Sequence, residues 1–124
     1  MKGTVLIILS IVLTGFITSC SDDATVLGNW VTKSYFDGKA RSNGSNFSFE
    51  TAGYWGMGKD DDEYLTDFWK YIPEKNAWSP VASFPGTPRA YNISISNGVK
   101  GYIGLGYDGN NDLSDFWEYD PASD

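Results

Sequence analysis

The chain has 124 residues, nine Lys and Arg against sixteen Asp and Glu, one Cys, no His and a net charge of -7. Without His there is no Ser/His/Asp or Cys/His catalytic set, no His-ligated metal and no histidine pH switch, and a single Cys permits neither an internal disulfide nor a cysteine metal cluster. The acidic balance argues against nucleic acid as a partner, because phosphate binding needs clustered Lys and Arg.

In chain order, the first predicted element is an export segment. Met1-Lys2 forms a short positive region, and residues 5–9, 11–13 and 16–17 are apolar, interrupted only by Ser, Thr and Gly. A membrane-spanning helix needs about 20 apolar residues and a signal h-region about 7 to 15, so the length fits a signal. The stretch closes on Ile17-Thr18-Ser19-Cys20, which resembles the lipobox of bacterial lipoproteins. That resemblance implies a lipoprotein signal peptide over residues 1–19, lipidation of Cys20 and a membrane partner reached through the lipid anchor. The alternative is an ordinary secretory signal with an incidental Cys. Ser21-Asp22-Asp23 resembles the surface-export tag of Bacteroidetes lipoproteins and fits a solvated linker equally well, so residues 20–29 read as an acidic tether. An outer-membrane lipoprotein facing the periplasm or the cell surface is the implied location.

A repeat organises the remainder. A shift of 48 places Trp30 on Trp78, Phe36 on Phe84, Gly38 on Gly86 and Arg41 on Arg89 without a gap. It also places residues 53–58 on 101–106 and residues 65–71 on 113–119, and Pro73 on Pro121. Two units follow, 30–77 and 78–124. Within each, short runs rich in Val, Ile, Tyr, Phe and Trp alternate with Gly, Pro, Asn and Asp, the signature of strands and turns. The first unit predicts strands at 30–34, 46–50, 54–58 and 68–72, and the second at 77–82, 90–96, 101–106 and 116–119. Each set is expected to form one four-stranded antiparallel meander.

Period and content resemble the kelch repeat of β-propellers, with four-stranded blades and a repeat of about 50 residues. The residues that carry the likeness are Pro88-Arg89 (Ala40-Arg41 in the first unit), the Gly-rich ends at Gly56-Met57-Gly58 and Gly104-Leu105-Gly106, the Asp-Phe-Trp-x-Tyr runs and the Trp that opens each unit. Kelch blades usually carry a Gly-Gly pair where this chain has Gly-x-Gly, so the likeness is to a divergent branch, similar to kelch-like lipoproteins of Bacteroidetes. The implied fold class is all-β: two kelch-type β-propeller blades, an incomplete ring, after a lipoprotein signal peptide. Propellers close with about four to eight blades, and a third opening Trp would fall at position 126, so the chain is expected to be a fragment or an early-ended reading frame. A small protein that completes its ring by self-association is the alternative.

Gly56, Gly58, Gly104 and Gly106 are expected to let bulky neighbours pack over the backbone, and Trp30, Trp69, Trp78 and Trp117 to fill the space between sheets. Arg41 and Arg89 suit carboxylates or carbonyls of a neighbouring blade through their planar fork of donors; facing a central channel, they would bind an anionic ligand. Asp60, Asp61, Asp62 and Glu63 offer oxygen ligands to calcium, but the equivalent 108–112 loop keeps only part of that acidity and neither has EF-hand spacing. A solvated acidic loop is favoured. The Gly-rich runs 53–58 and 101–106 lack the following helix that phosphate loops require. Tyr54, Trp55, Tyr91, Tyr102 and Tyr107 offer rings for stacking on sugars, or belong to the core.

Galactose oxidase, which shares the architecture that the resemblance implies, holds copper with His and Tyr, and this chain has no His. The expected function is therefore a binding module with a protein or glycan ligand, no cofactor and no catalytic residues, with Arg41, Arg89, Tyr91 and Tyr107 as binding candidates. The alternatives are a part of a carbohydrate-active enzyme such as a sialic acid mutarotase, whose sites draw on several blades, and a non-functional truncated product.

Overall fold

Seven strands in two antiparallel sheets make up the described structure, with no helix among the described residues. The computed structural model describes residues 28–49 and 51–124; the expected export segment, Cys20 and the expected acidic tether up to residue 27 lie outside them, as does Glu50. The first sheet runs β1 (Ser45–Phe49), β2 (Ala52–Gly56), β3 (Phe68–Ile72), β4 (Ala77–Val81) in spatial order, and the second β5 (Ile93–Ser96), β6 (Gly101–Gly104), β7 (Phe116–Tyr119). Both are plain meanders, with Phe47 opposite Tyr54 and Trp55 opposite Trp69 in the first and Ile95 opposite Tyr102 in the second.

Three expectations need correction. The strand at 77–82 does not open the second sheet; it closes the first, where Tyr71 pairs with Trp78 and Trp69 with Pro80. The cause is local: a tight turn, with Lys75 N–H donating to Ile72 and Asn76 N–H to Pro73, folds β4 straight back onto β3. A period fixes the length of a unit but not where it should be cut, so the sheets hold four and three strands, not four each. Residues 30–34 form no strand, and Trp30, expected to fill the space between sheets, is 91% exposed. Finally, the strand predicted at 54–58 lies two residues earlier and those predicted at 101–106 and 90–96 are shorter, because Met57, Gly58, Leu105, Gly106 and Tyr91 take positive φ (56°, 85°, 60°, 94° and 59°), which extended chain does not tolerate.

Strand β1 shows the two-residue period expected of a half-buried strand, with Ser45, Phe47 and Phe49 inward and Asn46 and Ser48 outward. Its inward face meets the second sheet. The Phe47 ring stacks with Phe68 and Tyr54, both at 5.3 Å between centroids, and reaches Tyr119 at 5.8 Å. Phe49, Met57, Phe84 and Ile103 complete the cluster. The filling between the sheets is therefore Phe and Tyr, while Trp69, Trp78 and Trp117 pack edge-on against Phe36 and Phe84 of the connecting segments. Along the sheet junction, Ser94 Oγ donates to Asn46 C=O at 2.6 Å and accepts Asn46 N–H at 3.2 Å, and Gly58 N–H donates to Arg89 C=O at 3.0 Å.

Candidate functional site

Strand directions gather the longer connections at one end of both sheets. Segments 57–67 and 105–115 leave there, and the chain enters β1 and β5 there from 38–44 and 82–92. The two left-handed residues after β2 and β6 turn each chain outward, so Lys59 bridges to Ser42 and Tyr64, and Tyr107 to Ala90 and Asp112. The two loops are built alike. Asp60 Oδ1 accepts the N–H groups of Asp62 and Glu63, and Asp108 Oδ1 those of Asn110 and Asn111. These backbone donors hold both carboxyls below the usual carboxylate range, with the N–H of Glu63 and of Asn111 the leading causes.

Arg41 and Arg89 sit under this end, with side chains 1% exposed. Arg89 grips Asp115 with both terminal nitrogens, Nη2 to Oδ2 at 2.8 Å, donates from Nη1 to Leu105 C=O at 3.2 Å and from Nε to Thr87 C=O at 3.0 Å. Arg41 repeats the pattern on Asp67, Met57 C=O and Lys39 C=O. Phe84 and Phe36 lie about 5 Å from the guanidinium carbons, under the ring-stacking limit of about 6 Å. The carboxylate partners belong to the same repeat as the arginine, not to a neighbouring one, and every guanidinium nitrogen is engaged. Charge-assisted hydrogen bonding from Arg89, and then from the Trp117 indole, takes the Asp115 carboxyl down to about 2. For Asp67, burial pushes upward, but the bonds from Arg41 and the Trp69 indole together outweigh it and leave the carboxyl below its ordinary range.

The sequence pattern points to the arginines but not directly to Asp67 and Asp115 as their partners. Their signal was present: both lie 26 residues after their arginine, the same separation in each repeat.

The acidic run 60–63 is tied internally. Lys39 Nζ contacts the Glu63 carboxylate and lies 3.4 Å from Asp60 Oδ2, so an ammonium stands between the carboxylates that calcium would need. Among the described residues no group of three or more His, Cys, Asp or Glu is arranged to hold a metal ion.

What stays open at this end is aromatic and polar. Tyr91 is 62% exposed and held at φ 59°, its N–H bonded to Asn43 C=O. Tyr107 donates from its hydroxyl to Gly109 C=O at 2.7 Å and meets the Tyr64 ring edge-to-face at 6.5 Å, while Lys59 Nζ stands 5.5 Å over Tyr64. Tyr54 is buried in the core and Tyr102 stacks on Phe116, so neither belongs to this end. A separate groove of about 360 Å³ lies between the 82–85 segment and β7, lined by Phe84, Trp117, Tyr119 and Asp124 among others.

No family model and no curated protein matches the sequence. Among solved structures the chain is similar to the structure of YjhT, with a TM-score of 0.55 and 23% identity over 66% of this chain. The match covers 25% of that chain, so this chain spans about a quarter of its length, and the likeness is one of fold.

Proposed function

We propose that the protein is part of a lipid-anchored, cell-envelope β-propeller of kelch type that works as a binding module, offering its loop end to a glycan or protein. The observation that carries this reading is the pairing of two like-built loops with Tyr64, Tyr91 and Tyr107 at one end of adjacent sheets. Ring faces and fixed backbone amides are the groups that recognise sugars and peptides: apolar faces stack, and amides and hydroxyls fix orientation. The kelch assignment rests on the 48-residue repeat with its Arg, Gly-x-Gly and Asp-Phe-Trp-x-Tyr positions, and the lipid anchor on the lipobox-like run ending at Cys20.

The chemistry narrows the ligand. Both arginines are sealed by carboxylates and carbonyls, and the loops carry Asp60, Asp61, Asp62, Glu63, Asp108 and Asp112. An anionic ligand would meet no free guanidinium and several carboxylates, so the partner is a neutral glycan or a basic peptide surface. An array carrying neutral and acidic glycans and basic peptides, probed with the full chain, is expected to give signal on the neutral or basic members; signal confined to acidic glycans would overturn the reading. For the anchor, palmitate labelling of expressing cells is expected to mark the protein and to disappear with Cys20→Ala; an unlabelled wild type would remove the lipoprotein assignment.

A further inference from the structure

The sequence holds two Asn-Gly pairs, Asn43-Gly44 and Asn97-Gly98; its other asparagines precede larger residues. Asn before Gly is the pair most open to attack by the following backbone nitrogen on the side-chain amide, because a residue without Cβ leaves that nitrogen uncrowded and its backbone free to turn. The two pairs are chemically alike and differ in how the fold holds them.

In the turn between β5 and β6 the Asn97 carboxamide is held from both ends. Its Oδ1 accepts Val99 N–H at 3.0 Å and Lys100 N–H at 2.7 Å, and its Nδ2 donates to the Tyr102 hydroxyl at 3.3 Å. The Gly98 N–H points elsewhere, to Ser96 Oγ at 3.0 Å. Amide carbon and nucleophile are thus tied to different partners. Asn43, at the entrance to β1, is exposed, and among the described residues its side chain makes one bond, from Nδ2 to Ser42 Oγ at 3.1 Å. Its φ of 55° lies in a region that costs any residue with a Cβ some free energy, so leaving it meets less resistance than undoing the side-chain-locked turn at Asn97. One further contact gives the site consequence: Asn43 C=O accepts Tyr91 N–H at 3.2 Å, tying the entrance of the first sheet to that of the second.

We infer that Asn43 is a site of spontaneous deamidation beside Tyr91, and that the fold shields Asn97 from the same reaction. The Gly44 nitrogen, its proton lost to solvent, attacks Asn43 Cγ; the N–Cγ bond forms, the Cγ–Nδ2 bond breaks, and ammonia leaves with a proton from water. A five-membered imide results. Water then opens either of its two carbonyl–nitrogen bonds, giving aspartate or isoaspartate, with no oxidant or reductant involved. Either product replaces a neutral residue with an anion. In isoaspartate the main chain also runs through the former side chain, one methylene longer, and the carbonyl that held Tyr91 becomes a free carboxylate. Older copies of the chain therefore carry a more acidic and less tightly joined loop end.

Mass spectrometry tests this on the full chain, incubated folded at mildly alkaline pH and digested with trypsin, which isolates the pairs on peptides 42–59 and 90–100. Asn43 is expected to convert about tenfold faster than Asn97, the factor that the surplus hydrogen bonds at Asn97 supply, and part of the product is expected to be a substrate for isoaspartyl methyltransferase. In urea-unfolded chain the two rates are expected to agree. Ser96→Ala combined with Tyr102→Phe, which removes two of the four bonds at the second pair, is expected to speed Asn97 and leave Asn43 unchanged. Asn97 converting as fast as Asn43 in the folded chain, an Asn43 that stays intact while Asn97 reacts, or the same tenfold gap in urea overturns the inference. The readout is chemical, so it stands or falls apart from the recognition role of this end.

Discussion

The Phe47 ring occupies the place a side chain on Gly101 would need: a Cβ there would lie 2.6 Å from the ring. This is one of the contacts that join the sheets, since β1 carries Phe47 and β6 begins at Gly101. Phe47→Ala is expected to cost about 3 to 5 kcal/mol, the range for truncating a buried aromatic. Gly101→Val is expected to destabilise as well, and Gly101→Ala combined with Phe47→Leu to lose less than Gly101→Ala and Phe47→Leu lose singly and summed, because the smaller side chain leaves room for the methyl. Urea denaturation of wild type, Gly101→Ala, Phe47→Leu and the double variant measures it; full additivity would mean the two residues do not share the space.

The arginine clamps should be structural. Arg89→Ala removes the partner of a carboxylate and leaves Leu105 and Thr87 carbonyls without their donor, and is expected to cost about 3 kcal/mol, the lower end for breaking a buried pair, since Asp115 is partly exposed. Arg89→Lys keeps the charge but not the fork, and should recover less than half of the loss. Thermal melts of both variants decide it, and an Arg89→Lys protein as stable as wild type would contradict the clamp.

Acid stability follows from the same pair. The Asp115 carboxyl is depressed in the folded chain from its ordinary 3.8 to about 2, so its contribution is full above the unfolded value and drains away as pH falls from about 4 to about 2. Asp67 is depressed in the same direction. The urea midpoint is expected to fall over that window, and Asp115→Asn to flatten the fall while lowering stability at neutral pH. An unchanged slope in Asp115→Asn would show that other groups set the acid limit.

Tyr91 separates stability from binding. Its φ of 59° matches the 55° of Asn43, 48 residues earlier, and Asn tolerates that region better than an aromatic residue. Tyr91→Asn is expected to raise stability by about 0.5 kcal/mol while weakening ligand binding. Strain kept at an exposed aromatic residue fits a recognition role; a variant that is less stable would remove that argument.

Much of the architecture was legible in the sequence because two kinds of residue repeat with period 48: the aromatic residues of the strands and the glycines after them. The positions of β3 and β7 could be read to the residue, since Asp-Phe-Trp-x-Tyr is bounded by turn residues on both sides. The membership of β4 could not, because a repeat is cyclic and only the four-residue turn before Ala77 decides which sheet it joins. The role of Trp is not legible in the sequence for a related reason. Large side chains look like core in any pattern, but here the sheets approach closely enough that Phe47 needs a glycine opposite, and Trp69, Trp78 and Trp117 pack instead on Phe36 and Phe84 of the connecting segments. At the loop end, Tyr91 and Tyr107 were legible as candidates, while the sealing of Arg41 and Arg89 depended on Asp67 and Asp115, whose partners lie 26 residues away and are visible only when the repeats are compared.

The claim that the loop end is the recognition surface is tested most directly by titrating whichever array ligand binds best against wild type, Tyr91→Ala, Tyr107→Ala and, as a control, Tyr35→Ala, which removes another highly exposed ring. A stacked aromatic contact is worth about 0.5 to 1.5 kcal/mol, so Tyr91→Ala and Tyr107→Ala are each expected to weaken binding by about 3- to 10-fold, with the Tyr35→Ala protein unchanged. Equal affinity for all four proteins would contradict the account and place recognition elsewhere on the molecule.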